Sequence, residues 1–137
     1  MRDRIGYMLK RVQAALRARI DQALGPLGVT GPQYAVLSAL QREPGLSNAG
    51  LARRAFVTPQ TMVRIVENLE ALGLVVRHPH PSHGRRLPAS LTRKGERLVV
   101  AGQAGVGEVD GQMLAELTEA ERRQLLDLLL RCAVALG

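Results

Sequence analysis

A chain of 137 residues with 46% hydrophobic side chains can bury a core of its own, and no apolar run approaches a bilayer span. A single cysteine excludes an intramolecular disulfide and a thiolate metal cluster; no Trp, one Phe and two Tyr exclude a single-strand binding surface of stacked aromatics. The net charge of +7 is unevenly spread: residues 1–41 carry +4, residues 42–97 carry +6 and residues 98–137 carry −3, so the middle is the part suited to a polyanion. Arg2, Asp3 and Arg4 have no uninterrupted apolar stretch behind them, which predicts a soluble, cytoplasmic chain rather than an exported one.

The first predicted helix spans residues 2–24, with Ile5, Leu9, Val12, Leu16 and Ile20 spaced as one apolar stripe that needs a partner. Gly25-Pro26-Leu27-Gly28 ends it. Thr30 caps a second helix carrying Val36, Leu37 and Leu40 and stopping before Pro44-Gly45. Ser47 then caps a short helix, Asn48 to Ala55, with Leu51 and Ala52 inward, and Phe56-Val57 turns the chain into a fourth helix. Two short helices joined by a tight turn make a helix-turn-helix.

The fourth helix has both ends written into it: Thr58 as N-cap, Pro59 in the first turn and Gly73 as the stop. At 100° per residue, Met62, Ile65, Val66, Leu69 and Leu72 share one side. Gln60, Arg64, Glu67, Asn68 and Ala71 take the other, with Thr61 at the edge. Gln, Asn and Arg pair bidentately with adenine or guanine edges in a major groove, whereas the plain alternative is an amphipathic surface helix; the basic surroundings favour the former. Glu67 and Glu70 fit ion pairs or cytosine contacts rather than catalysis, because no nucleophile, base and orienter come together.

After Gly73 the period changes. Leu74 to Arg77 is strand-like, His78 to Arg86 is turn-rich with a basic tip, and Leu87 to Leu91 returns as a second strand in which Pro88 cannot donate to a ladder. His78, His80 and His83 are separated by prolines and have no carboxylate or thiolate close in sequence, which argues against a metal site. Thr92 opens a long fifth helix with Leu98, Val99, Val106, Val109, Met113 and Leu114. Its glycines predict a kink or break near 102–107, and Gly102 to Gly107 lacks the preceding strand of a dinucleotide fingerprint, so close packing or a hinge explains it better. Thr118-Glu119-Ala120-Glu121 is a capping box opening a last helix with Leu125, Leu126, Leu128, Leu129 and Val134. Cys132, near the end of that apolar helix, is expected to be buried and inert. No internal repeat or low-complexity tail interrupts the pattern.

This order of elements resembles the MarR family of winged-helix regulators over nearly the whole chain. The matching segments are Val29 to Leu37, Leu51 to Arg54, Thr58 to Val66, Leu69 to Val75 and Leu91 to Gly95. The resemblance implies a homodimer joined through the N- and C-terminal helices, a recognition helix in the major groove and a wing in the adjacent minor groove. It also implies relief of repression by a small-molecule effector, with aromatic acids lodging between the DNA-binding lobe and the dimer helices. The family's Asp-x-Arg wing signature reads His83-Gly84-Arg85 here, so the arginine is kept and the bracing aspartate lost.

The reading is therefore mainly α with a small β-hairpin wing: one domain over 1–137, a winged helix-turn-helix lobe over 27–97, and dimerisation helices over 1–24 and 98–137. It is expected to be a homodimeric, sequence-specific binder of double-stranded DNA, a repressor at a pseudo-palindromic operator, with neither catalysis nor cofactor. Thr58, Gln60, Thr61, Arg64 and Asn68 form the recognition set; Ser47, Arg53, Arg54, Thr58 and Arg86 meet phosphate; Arg85 enters the minor groove. Ile5, Leu9, Val12, Leu16, Leu125, Leu129 and Val134 are the expected subunit interface. A winged helix used only for protein interaction is the rival. An oxidant sensor is disfavoured because it would need a cysteine near the first two helices.

Overall fold

The computed structural model describes residues 2–77 and 89–137. In chain order it runs α1 (Arg2–Leu24), a 3-10 turn (Gly25–Leu27), α2 (Gly31–Arg42), α3 (Asn48–Ala55), α4 (Pro59–Ala71), β1 (Val75–Arg77), β2 (Ala89–Leu91), α5 (Arg93–Met113) and α6 (Glu119–Leu136). The hydroxyls of Thr30, Ser47, Thr58, Thr92 and Thr118 each accept a backbone N–H three residues on, so every helix from α2 to α6 starts at the expected side chain. Thr30 with Gln33 and Thr118 with Glu121 complete reciprocal capping boxes.

The core lies where α2, α3 and α4 meet the hairpin and the first half of α5. Leu37, Leu51, Met62, Leu69, Leu74 and Val99 are fully buried there. Leu24 at the end of α1 joins the same cluster, so the core continues into the long helices without a seam at residues 24 or 98. Strands β1 and β2 pair antiparallel with Val75 opposite Leu91 and Arg77 opposite Ala89. β1 is shorter than expected, since Leu74 lies before the ladder; Leu87 and Pro88, expected in β2, fall outside the described residues.

The expected interruption of α5 does not take the form of a break: the helix is continuous from Arg93 to Met113. Gly102 and Gly105 serve close approach, whereas Gly107 and Gly111 face open space. A Cβ at Gly102 would enter the Tyr34 ring on α2, and one at Gly105 would press on Ala23 of α1. Burial against this helix holds the Tyr34 hydroxyl above its ordinary pKa, opposed in part by Arg42 and by a hydrogen bond with Ser38. Packing gained at these positions offsets the weak helix propensity of glycine, about 1 kcal/mol each. α1 lies along α5, whereas α6 buries none of its residues and packs substantially against no other element of its own chain.

Candidate nucleic-acid interface

The candidate surface is built by α3, the turn after it, and α4. Met62, Ile65, Val66 and Leu69 anchor α4 on the core, each worth about 1.5–3 kcal/mol of burial, which fixes the rotation of the helix about its axis. Gln60, Thr61, Arg64, Glu67 and Asn68 are consequently all exposed. Leu72 departs from the expected stripe: it is the C-cap rather than a core residue and remains 42% exposed. Gly73, at φ 73°, takes the left-handed conformation that ends the helix.

At the other end, Asn48 Nδ2 donates to the Pro59 carbonyl at 3.3 Å, tying the start of α3 to the start of α4. The Thr58 hydroxyl accepts the Thr61 N–H at 3.1 Å and donates to Thr61 Oγ1 at 3.0 Å. Its proton is thereby spent, so Thr58 acts as a cap, and the Thr61 O–H is the one left to donate outward. Ser47 Oγ accepts from Gly50 N at 3.1 Å and keeps its own proton for an external acceptor. Between the helices, Phe56 holds φ 56° and ψ 42° with its ring 96% exposed. A non-glycine side chain there costs about 1–2 kcal/mol from crowding of Cβ against the carbonyl.

The basic residues separate into two kinds. Arg54 donates to Glu43 at 2.6 Å with both side chains half exposed, so it is not the free phosphate cation expected of it. An exposed pair of this kind contributes at most about 1 kcal/mol and can be exchanged for another anion. Arg53 and Arg64 are exposed and have no hydrogen-bond or ion-pair partner among the described residues, nor do Gln60, Glu67 and Asn68. Glu70 faces Arg77 at the base of the hairpin, 3.4 Å from its Nε, so it belongs to the hairpin rather than to the outer face. Val63, 41% exposed beside Glu67, was not anticipated; an apolar side chain standing off the buried stripe is the signal that marks it. Arg85 and Arg86, with His78, His80 and His83, lie outside the described residues.

The C-terminal end of α4 is held by α5. Thr92 Oγ1 donates to the Gly73 carbonyl at 2.7 Å and Lys94 Nζ to the Leu72 carbonyl at 2.9 Å. Gly95 lies so close to β1 that a Cβ would collide with the Leu74 carbonyl oxygen. Sequence alone marks Thr92 as a cap but gives no sign of these cross-helix bonds.

The expected interface residues stay uncovered in the single chain: Ile5 is 60% exposed, Leu9 48%, Val12 44%, Leu125 38%, Leu129 42% and Val134 81%, with Leu16 half-buried. Cys132, expected to be buried, is exposed because nothing in its own chain covers α6. Between α1 and α5 a recess of about 260 Å³ is lined by Val12, Ala15, Leu16, Val109 and Met113, and at its rim Arg19 donates to Gln112. No helix among the described residues is long and apolar enough to cross a membrane.

Comparison with known proteins supplies relatives of the same architecture. Residues 27–86 match the model of the MarR family. The HTH-type transcriptional repressor Rv2887 of Mycobacterium tuberculosis is 45% identical over 120 residues, 88% of this chain and 86% of that protein. Its crystal structure in complex with DNA superposes with a TM-score of 0.75 at 41% identity, covering 93% of this chain and 95% of that one. It has also been solved in complex with salicylic acid, where the TM-score is 0.74 at 43% identity over 93% of this chain and 94% of that one. A MarR-family transcriptional regulator from Rhodococcus sp. RHA1 gives a TM-score of 0.85 at 29% identity, covering 97% of this chain and 94% of that one.

Proposed function

Because the chain belongs to the MarR family of transcriptional regulators, we propose that it is a repressor that binds a pseudo-palindromic operator in double-stranded DNA as a homodimer. The observation that carries this is the outer face of α4, where Gln60, Arg64 and Asn68 stand exposed with no partner among the described residues, on a helix capped at both ends. Polar groups that can pair bidentately and are left unpaired within the fold are what base-edge readout requires. Thr61 and Val63 add a hydroxyl donor and an apolar contact suited to a thymine methyl. Thr58 orders the helix start, Ser47 and Arg53 address phosphate, and Arg54 joins them by exchanging Glu43 for the backbone. Arg86 serves phosphate and Arg85 the minor groove on the strength of their place in the sequence.

The dimer follows from area. The chain exposes 10121 Å² at 14.8 kDa, where a compact monomer of that mass exposes roughly 7,000 Å². The chain therefore exposes about 3,000 Å² more than a compact monomer, and the exposed apolar side chains of α1 and α6 are surface of the kind an obligate interface removes. A small aromatic acid, the class of ligand in complex with the Mycobacterium relative, fits the α1–α5 recess in size and charge, its carboxylate exchanging for Gln112 on Arg19. That recess lies between two long helices, not between them and the DNA-binding lobe as the family resemblance implies.

Footprinting of the protein on the intergenic DNA flanking its own gene tests the reading. Protection of two half-sites related by a dyad, one helical turn or a multiple apart, is expected. Binding that never exceeds that to random duplex, at any salt concentration, would leave only the protein-interaction reading.

A further inference from the structure

Phe56 stands out because its conformation and its exposure both oppose stability. Among the described residues it is the only non-glycine with a positive φ. Glycine or asparagine would take that conformation with less strain, and a ring left in water forgoes the burial it could have had elsewhere. It is also the chain's only phenylalanine. Strain that a fold retains without a packing return points to a role outside the fold.

Its position identifies that role. Phe56 follows the last residue of α3, and its N–H reaches back to the Ala52 and Arg53 carbonyls. Val57 N donates to the Ala52 carbonyl at 3.1 Å, and Thr58 is already the α4 cap, so the turn is fixed on both sides of the ring. The exposed residues within three positions of it are Arg53, Arg54, Thr58 and Pro59, a largely basic and polar setting that fits a nucleic acid better than an apolar protein groove. We propose that Phe56 is a further specificity-determining residue, packing its ring on thymine C5 methyl groups at the outer edge of each half-site in the major groove. The N-terminal end of a recognition helix is the end that meets base edges, the thymine methyl is the apolar feature of that groove, and phenylalanine is among the side chains that contact it. The assignment rests on operator binding through α4.

The test uses the full chain, as wild type, Phe56→Ala and Phe56→Asn, on three duplexes: the footprinted operator, the same operator with outer-edge thymines replaced by deoxyuridine, and a random sequence. Thermal unfolding is followed alongside. Phe56→Asn is expected to keep or raise the unfolding midpoint, while both variants bind the operator about 5- to 100-fold more weakly and random duplex unchanged. Wild type should lose affinity on the deoxyuridine operator and the variants should be indifferent to it. Operator binding by Phe56→Asn equal to wild type overturns the assignment, as do equal losses on random duplex or equal sensitivity of all three proteins to deoxyuridine. A wild-type chain that leaves no footprint sinks operator binding and Phe56 together; a clear footprint with an unaffected Phe56→Asn sinks Phe56 alone.

Discussion

Arg53 and Arg64 are both exposed arginines with no partner among the described residues, yet they stand on different helices and should report differently. Arg64 projects from the outer face of α4, so Arg64→Ala or Gln60→Ala should cost about 1–3 kcal/mol on the operator and little on random duplex. Arg53→Ala should weaken both and lower the salt slope. Arg54→Ala should do less than Arg53→Ala, because the free protein already spends that charge on Glu43. Titrations on the two duplexes at several salt concentrations check all four; equal losses on both DNAs for Gln60 and Arg64 would place readout on another face. Much of this surface was legible from periodicity, since Met62, Ile65, Val66 and Leu69 fix which side of α4 is left over. The Arg54–Glu43 pair was not, because eleven residues and a loop separate the partners and no local spacing encodes their approach. Leu72 departs from the stripe for a related reason: the wheel assumes a helix and a packing partner that both continue, whereas Leu72 is the C-cap and stays 42% exposed.

At the scale of elements, the helix starts were readable because each cap is a local event between a hydroxyl and an N–H three residues on. Gly102 and Gly105 were not, since their meaning lies in Tyr34 and Ala23 on other helices. Gly95→Ala should destabilise the fold by about 1–3 kcal/mol, because the new methyl meets a backbone carbonyl that cannot move without shifting β1. Urea unfolding reads this directly, and an unchanged midpoint would refute the close approach. The α6 capping box gives a pH signature. The Thr118 backbone N–H, and then its hydroxyl, hold the Glu121 carboxylate below its ordinary pKa. A group lowered in the folded state contributes stability above its unfolded pKa and loses it as pH falls through the folded one. The helicity of α6 should therefore decline on acidification beneath the ordinary carboxylate range. Glu121→Gln, whose amide oxygen still accepts from Thr118, should flatten that decline in circular dichroism, and an identical acid profile for the two proteins would count against it.

For the whole molecule, the proposed dimer is the arrangement that covers what α1 and α6 leave bare. Sedimentation at micromolar concentration should find a dimer, and dilution should remove helical signal together with mass; a folded monomer there would contradict the interface. Leu125→Asp should shift the equilibrium toward monomer without altering the α2–α4 core. The bonds from Thr92 and Lys94 to the end of α4, with Gly95 pressed on Leu74, bear on the assembled protein in another way. They leave almost no play between each reading helix and the long α5 beside it. In the proposed dimer, two such subunits joined through their arms form a caliper whose jaw opening is set far from the DNA. A caliper measures as well as grips: one base pair inserted between half-sites moves the second out of reach by a fixed step along and around the duplex, though every contacted base is unchanged.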